Sequence, residues 1–309
     1  MLNYTLRRLL TVVPTLLVLI VFSFYLMRLA PGGPFTSEKP LPPAVMANVL
    51  ERYGMDQPLY VQLWTYIKNI VFHFDFGPSF SQKDRTVNDV ISGGFPVTLT
   101  YGFWSAVFVL ACGIPLGIIA ALRHNSFWDY AMTGLAIFSQ IFPNFVLAPL
   151  MVLMFTLWWG LLPGGGWNGG QWQYIIMPAV ALGTSYMAGV ARLTRGSFLE
   201  VMNSPFIRTA RAKGLPQRTI IIRHALKPAL LPTLTYMGPV FVYMITGSVF
   251  IDVFFSTGGI GQDFIDGAYS RDYSMLLGLA ILYSVLTFTL NLLLDLAYAW
   301  IDPKVRSKL

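Results

Sequence analysis

NSPFIRTARAKGLPQRTIIIRHALKP, residues Asn203 to Pro228, is the segment from which the rest of the chain can be read. Between Arg192 and Lys227 the bases are Arg192, Arg195, Arg208, Arg211, Lys213, Arg218, Arg223 and Lys227, against one acid, Glu200. The punctuation predicts a short helix, a break and a second helix. Ser204 is placed to cap the first helix with its hydroxyl, and Pro205 suits its first turn, where no backbone N–H is needed. Gly214 can take the left-handed conformation that closes it. Pro216 suits the first turn of the second helix, expected to run to about Ala225, before Pro228. Phe206, Ile207 and Ala210 are expected on one side of the first helix, with Arg208, Arg211 and Lys213 toward the other. Between membrane spans, such a loop reads as a docking surface for another protein. The plainer alternative is positive charge that only fixes membrane orientation.

The flanks establish the membrane. The chain has 309 residues, 55% hydrophobic and 11% charged, where soluble domains carry about 25% charged residues. From Tyr130 to Ala191 there is no Asp, Glu, Lys or Arg. A soluble core of this size needs no such run, so the chain is an all-α integral membrane protein. The net charge of +7 and pI near 9.5 would suit nucleic acid, but the bases flank apolar spans, so no nucleic-acid partner is expected and membrane lipid is. The single cysteine, Cys112, lies in an apolar stretch and excludes an intrachain disulfide and a multi-cysteine metal site. There is no Walker motif, HExxH or nucleophile elbow. No catalytic residue, metal site or cofactor is expected in the chain. His73 and His224 read as packing or surface residues.

Six spans are predicted. Arg7 and Arg8 precede the first, about Leu9–Leu29, read as retained and not cleaved because proline follows the small residue in Arg28-Leu-Ala-Pro-Gly-Gly-Pro. Residues 31–95 carry charges of both signs and read as an extracytoplasmic helical insert, with helices at Ala44–Tyr53, ended by Gly54 after Pro42 and Pro43, and at about Pro58–Phe72. The second span, about Pro96–Leu122, contains Gly113, Pro115 and Gly117, expected to bend or loosen it. The third, about Tyr130–Trp159, contains Pro143 and Pro149. Gln140 and Asn144, four apart, are expected to share its face, either contacting a translocating solute or hydrogen-bonding between helices. LPGGGWNGG, Leu162–Gly170, lacks the Lys-Ser/Thr of a phosphate loop and reads as a turn, with Trp158, Trp159, Trp167 and Trp172 at the interface. The fourth span is about Tyr174–Val190, the fifth about Ala229–Ile251 and the sixth about Tyr273–Trp300. The exit of the fifth, Asp252 to Asp272, holds four acids and Arg271.

The positive-inside rule orients the whole. Both termini in the cytoplasm place Arg7, Arg8, Arg123, the basic loop 192–228 and Lys304, Arg306 and Lys308 inside. Outside remain Arg28, Lys39, Arg52, Lys68, Lys83, Arg85 and Arg271, mostly in the insert. Asp295 is the one acid well inside a predicted span. It has either a structural role or a proton or substrate role.

These residues carry a resemblance. The basic loop resembles the cytoplasmic EAA loop of ABC importer permeases, with Arg208 and Thr209 in place of Glu and the first Ala, then Ala210 and Gly214, with Pro228 downstream. RTARAKGL followed by RHALKPALLP, the N-terminal LRRLLTVVPTLLVLIVFSFYLMRLAPGGP, the turn LPGGG and the late GGIGQDFIDGAYSRDYSMLLG are similar to the peptide/nickel branch of that family. The resemblance covers essentially the whole chain. It implies the MetI-like six-span permease fold with an insert after the first helix: residues 1–30 the N-terminal end and first span, 31–95 the insert, 96–309 the core with five spans and the coupling loop. It implies that Ser204, Pro205, Phe206, Ile207, Arg208, Thr209, Ala210, Arg211, Lys213 and Gly214 form the coupling helix, seated on a cytosolic ATPase. The partners implied are two ATPase subunits carrying ATP and Mg, a second homologous permease, an extracytoplasmic peptide-binding protein and an oligopeptide substrate, at a bacterial inner membrane. Dipeptides, murein peptides, glutathione and nickel belong to the same branch. The rival classes are a gradient-driven transporter, which would show intramembrane acids and broken repeats, and a membrane scaffold.

Overall fold

A computed structural model of the protein describes residues 2–29, 43–52, 54–82 and 84–301. Pro42, Lys39, Tyr53, Lys83, Lys304, Arg306 and Lys308 lie outside the described residues, as do the side chains of Arg7, Arg8 and Asp295. The described chain is helical: α1 Leu2–Leu29, α2 Pro43–Arg52, α3 Leu59–His73, α4 Val87–Leu122, α5 Phe127–Ile141, α6 Asn144–Met151, α7 Trp172–Met202, α8 Pro205–Ala212, α9 Gln217–Thr219, α10 Leu226–Thr246, α11 Val249–Phe254, α12 Ile260–Tyr269 and α13 Tyr273–Ile301. Five helices are long and apolar enough to cross a membrane, and α5 with the segment after Pro143 makes a bent sixth candidate. The contacts divide the chain into one unit of residues 1–96 with 258–309, and another of residues 97–257.

In the first unit, α1 and α12 pack on α13. Its core is Val87, Val90, Ile260, Met275 and Leu279. The helices expected at Ala44–Tyr53 and Pro58–Phe72 are found as α2 and α3. Gly54 closes α2 at a φ of +61°. α4 begins well before the expected Pro96. Thr86 and Asp89 form a reciprocal cap: the Thr86 N–H donates to Asp89 Oδ2 at 2.9 Å and the Asp89 N–H donates to Thr86 Oγ1 at 3.2 Å. Two orphan donors at the helix start are thus satisfied nine residues ahead of Pro96. The 36 residues of α4 extend roughly 54 Å at 1.5 Å per residue, beyond the ~30 Å hydrocarbon core.

In the second unit, α5, α6 and α10 pack on α7, and α11 packs on α6. The main core gathers Val109, Met151, Met177, Leu182, Val240 and Met244, among others. Gly113 and Gly117 do not break α4. A Cβ at Gly113 would lie 2.8 Å from Val190 Cγ1, and one at Gly117 would lie 2.5 Å from the Ala191 carbonyl oxygen. Their work is close approach of α4 to α7, the small-residue packing expected between helices in lipid.

The third predicted span is not one straight helix. α5 ends at Ile141, Phe142 takes the extended conformation (φ −80°, ψ 110°) that a residue before proline prefers, and the chain bends by 100° into α6. The fourth runs on past Val190 to Met202, burying Thr194 and Phe198 on the way. The second half of the basic loop also differs from expectation. Beyond Pro216, α9 continues through a π-helical segment, Ile220–Ala225, into α10 without stopping at Pro228. The proline ring cannot tolerate the carbonyl of residue i−4 in a regular helix; the wider π turn just before it moves that carbonyl aside. The fifth span then breaks at Gly247, and α11 carries the chain to Phe254.

Candidate functional site

The candidate site is α8 and the helix ends that hold it. Pro205 stands at the first position of α8, as expected. Ser204 flanks it in extended backbone, but its hydroxyl donates to the Val201 carbonyl at 2.5 Å and does not cap the helix. The hydroxyl closes the end of α7 instead, and so fixes the corner between α7 and α8. At the far end, Gly214 takes φ +72°. The Gly214 N–H donates to the Arg211 carbonyl at 2.9 Å, and the Leu215 N–H to the Ala210 carbonyl at 3.3 Å. This pair of bonds is the glycine-terminated helix end that the sequence predicted.

One face of α8 is sunk into the protein. Ile207 and Ala210 are buried together with Ala121 from the end of α4, Phe198 from α7, Ile220, Ala225 and Ala229. Burying Ile207 alone contributes about 1.5–3 kcal/mol. Four segments therefore converge under a two-turn helix that could not hold its shape alone. Phe206, expected on the side of Ile207 and Ala210, is 50% exposed. At 100° per residue Ile207 and Ala210 point to the same side, three apart, while Phe206 is one step off it. The exposed face thus presents Phe206, Arg208, Thr209 and Arg211, with Lys213 and Gly214 at its end. An exposed aromatic beside arginines on a rigid helix is the composition of a protein-binding anchor.

A polar brace stands one turn from Phe198. Arg195 on α7 donates to Asp129 at the start of α5 with Nε to Oδ1 and Nη2 to Oδ2, each at 2.7 Å. The Asn125 N–H donates to the same carboxylate at 2.9 Å. His124 Nδ1 lies 3.2 Å from Asp129 Oδ2 and 3.1 Å from Arg195 Nη2; a given tautomer makes only one of these a hydrogen bond. The brace fixes the turn after α4 to α7, next to the ground on which α8 rests. Asp129 closes one end of the long uncharged run and Arg195 lies three residues beyond Arg192, which closes the other, but no spacing rule pairs charges so far apart.

The structure does not bring Gln140 and Asn144 to one face. The bend at Phe142–Pro143 separates them. Gln140 is exposed, whereas Asn144 Oδ1 accepts a hydrogen bond from Ser185 Oγ on α7 at 2.6 Å, the interhelical role weighed as its alternative. Asp295 lies on α13, with its side chain outside the described ones. The acids from Asp252 to Asp272 include two buried anchors, a role that their sequence spacing does not reveal. Asp252 accepts from Thr98, Ser248 and Thr257 hydroxyls at 3.1, 3.2 and 2.8 Å. Asp272 gathers the loop at residues 79–81. Among the described residues no group of His, Cys, Asp and Glu could hold a metal ion.

Two family models match this chain. The binding-protein-dependent transport system inner membrane component matches residues 113–307, and the N-terminal part of the membrane component of such systems matches residues 1–102. The oligopeptide transport system permease protein OppB of Escherichia coli (strain K12) is 52% identical over 306 residues, 99% of this chain and 100% of that protein. The dipeptide transport system permease protein DppB of Bacillus subtilis (strain 168) is 39% identical over 306 residues, 99% of this chain and 98% of that protein. A structure of the MetNI methionine ABC transporter in inward-facing conformations is similar in fold, with a TM-score of 0.52 at 19% identity over 66% of this chain and 94% of that one. The chain belongs to the family of binding-protein-dependent transport system inner membrane components, the membrane-spanning permease subunits of ABC importers.

Proposed function

We propose that this permease moves oligopeptides into the cell and receives its energy through α8. The observation that carries the reading is the pairing of a buried face, Ile207 and Ala210, with an exposed face of Phe206, Arg208, Thr209 and Arg211 on a short helix fixed at both ends. A rigid body transmits a push; a floppy loop would absorb it. Ser204 to Gly214 sit against a cytosolic ATPase subunit. The paired ATPases bind ATP and Mg, close, and draw this coupling helix toward that of a second, homologous permease. The pair of membrane domains then tips from inward-open to outward-open, and a separate binding protein delivers the peptide. Residues 192–228 and both termini are cytoplasmic and the 31–95 insert is extracytoplasmic, a topology supported by the distribution of basic residues. Oligopeptides are favoured over dipeptides because identity to the oligopeptide permease is the higher of the two. Gln140 and Asp295 are the path candidates on this reading, with Asn144 held by Ser185 at the bend.

Gly214 gives the test. A Cβ there meets no atom of this chain within 4 Å. Substitution costs only the left-handed backbone penalty, about 1 kcal/mol, so a side chain would project into the space a docked ATPase fills. Gly214→Asp is expected to abolish ATP-dependent oligopeptide uptake while membrane insertion persists. Normal uptake would refute the assignment, and uptake of labelled peptides graded by length decides the substrate class.

A further inference from the structure

The unit formed by residues 1–96 and 258–309 contains a cavity of about 260 Å³ lined by Phe24, Arg28, Gln62, Tyr66, Asn69 and Tyr273, among others. Arg28 is the unusual member. It is half-buried, and its guanidinium lies over the Phe24 ring at 4.7 Å and near the Tyr273 ring at 5.7 Å. Among the described residues it has one hydrogen-bond acceptor, Gln62 Oε1, a neutral amide. Gln62 is held in that orientation because its Nε2 donates to the Met55 and Gln57 carbonyls at 3.2 and 2.6 Å. Among the described residues the buried Arg28 Nε has no hydrogen-bond partner, and neither has the buried Tyr66 hydroxyl on the same cavity wall. Burial pushes the Tyr66 phenol up from its ordinary value, so it stays a protonated donor. Among the described residues this half-buried cation faces aromatic rings and one amide, with a second unsatisfied donor beside it, an incomplete arrangement: desolvated charge is ordinarily met by an opposite charge.

Position selects the anion. Arg28 is in the last turn of the spanning segment Leu10–Leu29, the depth at which headgroups meet hydrocarbon. Below it α1 exposes Val18, Phe22 and Leu26, and beside it α3 exposes Tyr60, Trp64 and Phe72, surfaces suited to acyl chains and to the interface. We infer that this cavity binds the phosphate group of a membrane phospholipid, with the Arg28 guanidinium and the Tyr66 hydroxyl as donors. Arginine offers a planar fork of N–H groups to phosphate oxygens, and its charge makes each bond stronger than a neutral one.

The test uses the assembled transporter, delipidated in detergent, with thermal stability and retained lipid read as dioleoylphosphatidylglycerol, dioleoylglycerol or inorganic phosphate is added. The phosphatidylglycerol is expected to stabilise and remain bound, and the phosphate-free dioleoylglycerol is not. Arg28→Ala should lose the effect. Tyr66→Phe, nearly isosteric and so a guard against misfolding, should weaken binding roughly tenfold, the worth of a hydrogen bond to a charged group. Equal retention by wild type and both variants overturns the proposal, as does a response to dioleoylglycerol as large as that to phosphatidylglycerol. An Arg28-dependent shift with inorganic phosphate and none with the lipid overturns the lipid assignment in favour of a free anion.

Discussion

Asp129 and Arg195 face each other through two parallel hydrogen bonds of 2.7 Å, carboxylate to guanidinium, with the Asp129 side chain only 3% exposed. They join α5 to α7 across residues that otherwise meet through apolar contact. Arg195 lies on the same stretch of α7 as Phe198, which carries α8. Electrostatics thus fixes the platform on which the candidate coupling helix is built.

Removing one partner of this pair is expected to cost more than removing both. Arg195→Ala leaves a buried carboxylate with the Asn125 N–H and His124 nearby, and should destabilise by about 3–5 kcal/mol. Asp129→Asn combined with Arg195→Gln should be milder than the sum of the single changes. Arg195→Lys should fail to restore stability, because an ammonium cannot make both bonds in parallel. Apparent melting temperatures of the purified complex, set against its assembly yield, check all three.

Phe206 and Ile207 are adjacent and should behave oppositely. Ile207→Ala opens a cavity under α8 and should destabilise by about 2–5 kcal/mol. Phe206→Ala removes an exposed ring and should leave stability within about 0.5 kcal/mol, yet weaken co-purification of the ATPase by about 2 kcal/mol or more if Phe206 is the buried anchor of the docked state. Unchanged association in Phe206→Ala would count against docking through this face.

Asp272 is expected to be indispensable to its own unit. Its Oδ2 accepts from Ser79 Oγ at 2.5 Å, the Phe80 N–H at 2.8 Å, and Ser81 N–H and Oγ at 3.1 Å, while Oδ1 accepts from the Met275 N–H at 3.1 Å at the start of α13. Asp272→Ala strands the buried Ser79 hydroxyl and Met275 N–H, each costing about 1–3 kcal/mol. The 79–81 loop should become protease-sensitive and its amides lose hydrogen-exchange protection. Protection equal to wild type would show that the loop is held by something else.

Gly117 should tolerate nothing larger. Its virtual Cβ lies 2.5 Å from the Ala191 carbonyl oxygen and 2.7 Å from Thr194 Cβ, so Gly117→Val must push α4 off α7. The overpacking is expected to cost about 1–3 kcal/mol. Gly134→Ala, where nothing lies within 4 Å, is the control that should be neutral in the same stability assay.

The order of residues alone is enough to read a bundle of apolar helices, the family the chain resembles, and where α8 begins and ends. Those features are local: hydrophobic run length, a proline at the first helical position, a glycine whose left-handed backbone closes the last turn. It also carried the start of α4 in Thr86 and Asp89, a cap that Pro96 obscured. What it could not carry were facts that depend on which helices touch. The 100° bend that parts Gln140 from Asn144, the exposure of Phe206, the use of Gly113 and Gly117 for close approach and the partnership of Asp129 with Arg195 are fixed by neighbours distant along the chain. Helical periodicity gives the direction of a side chain from its own axis, but only packing decides what stands in that direction.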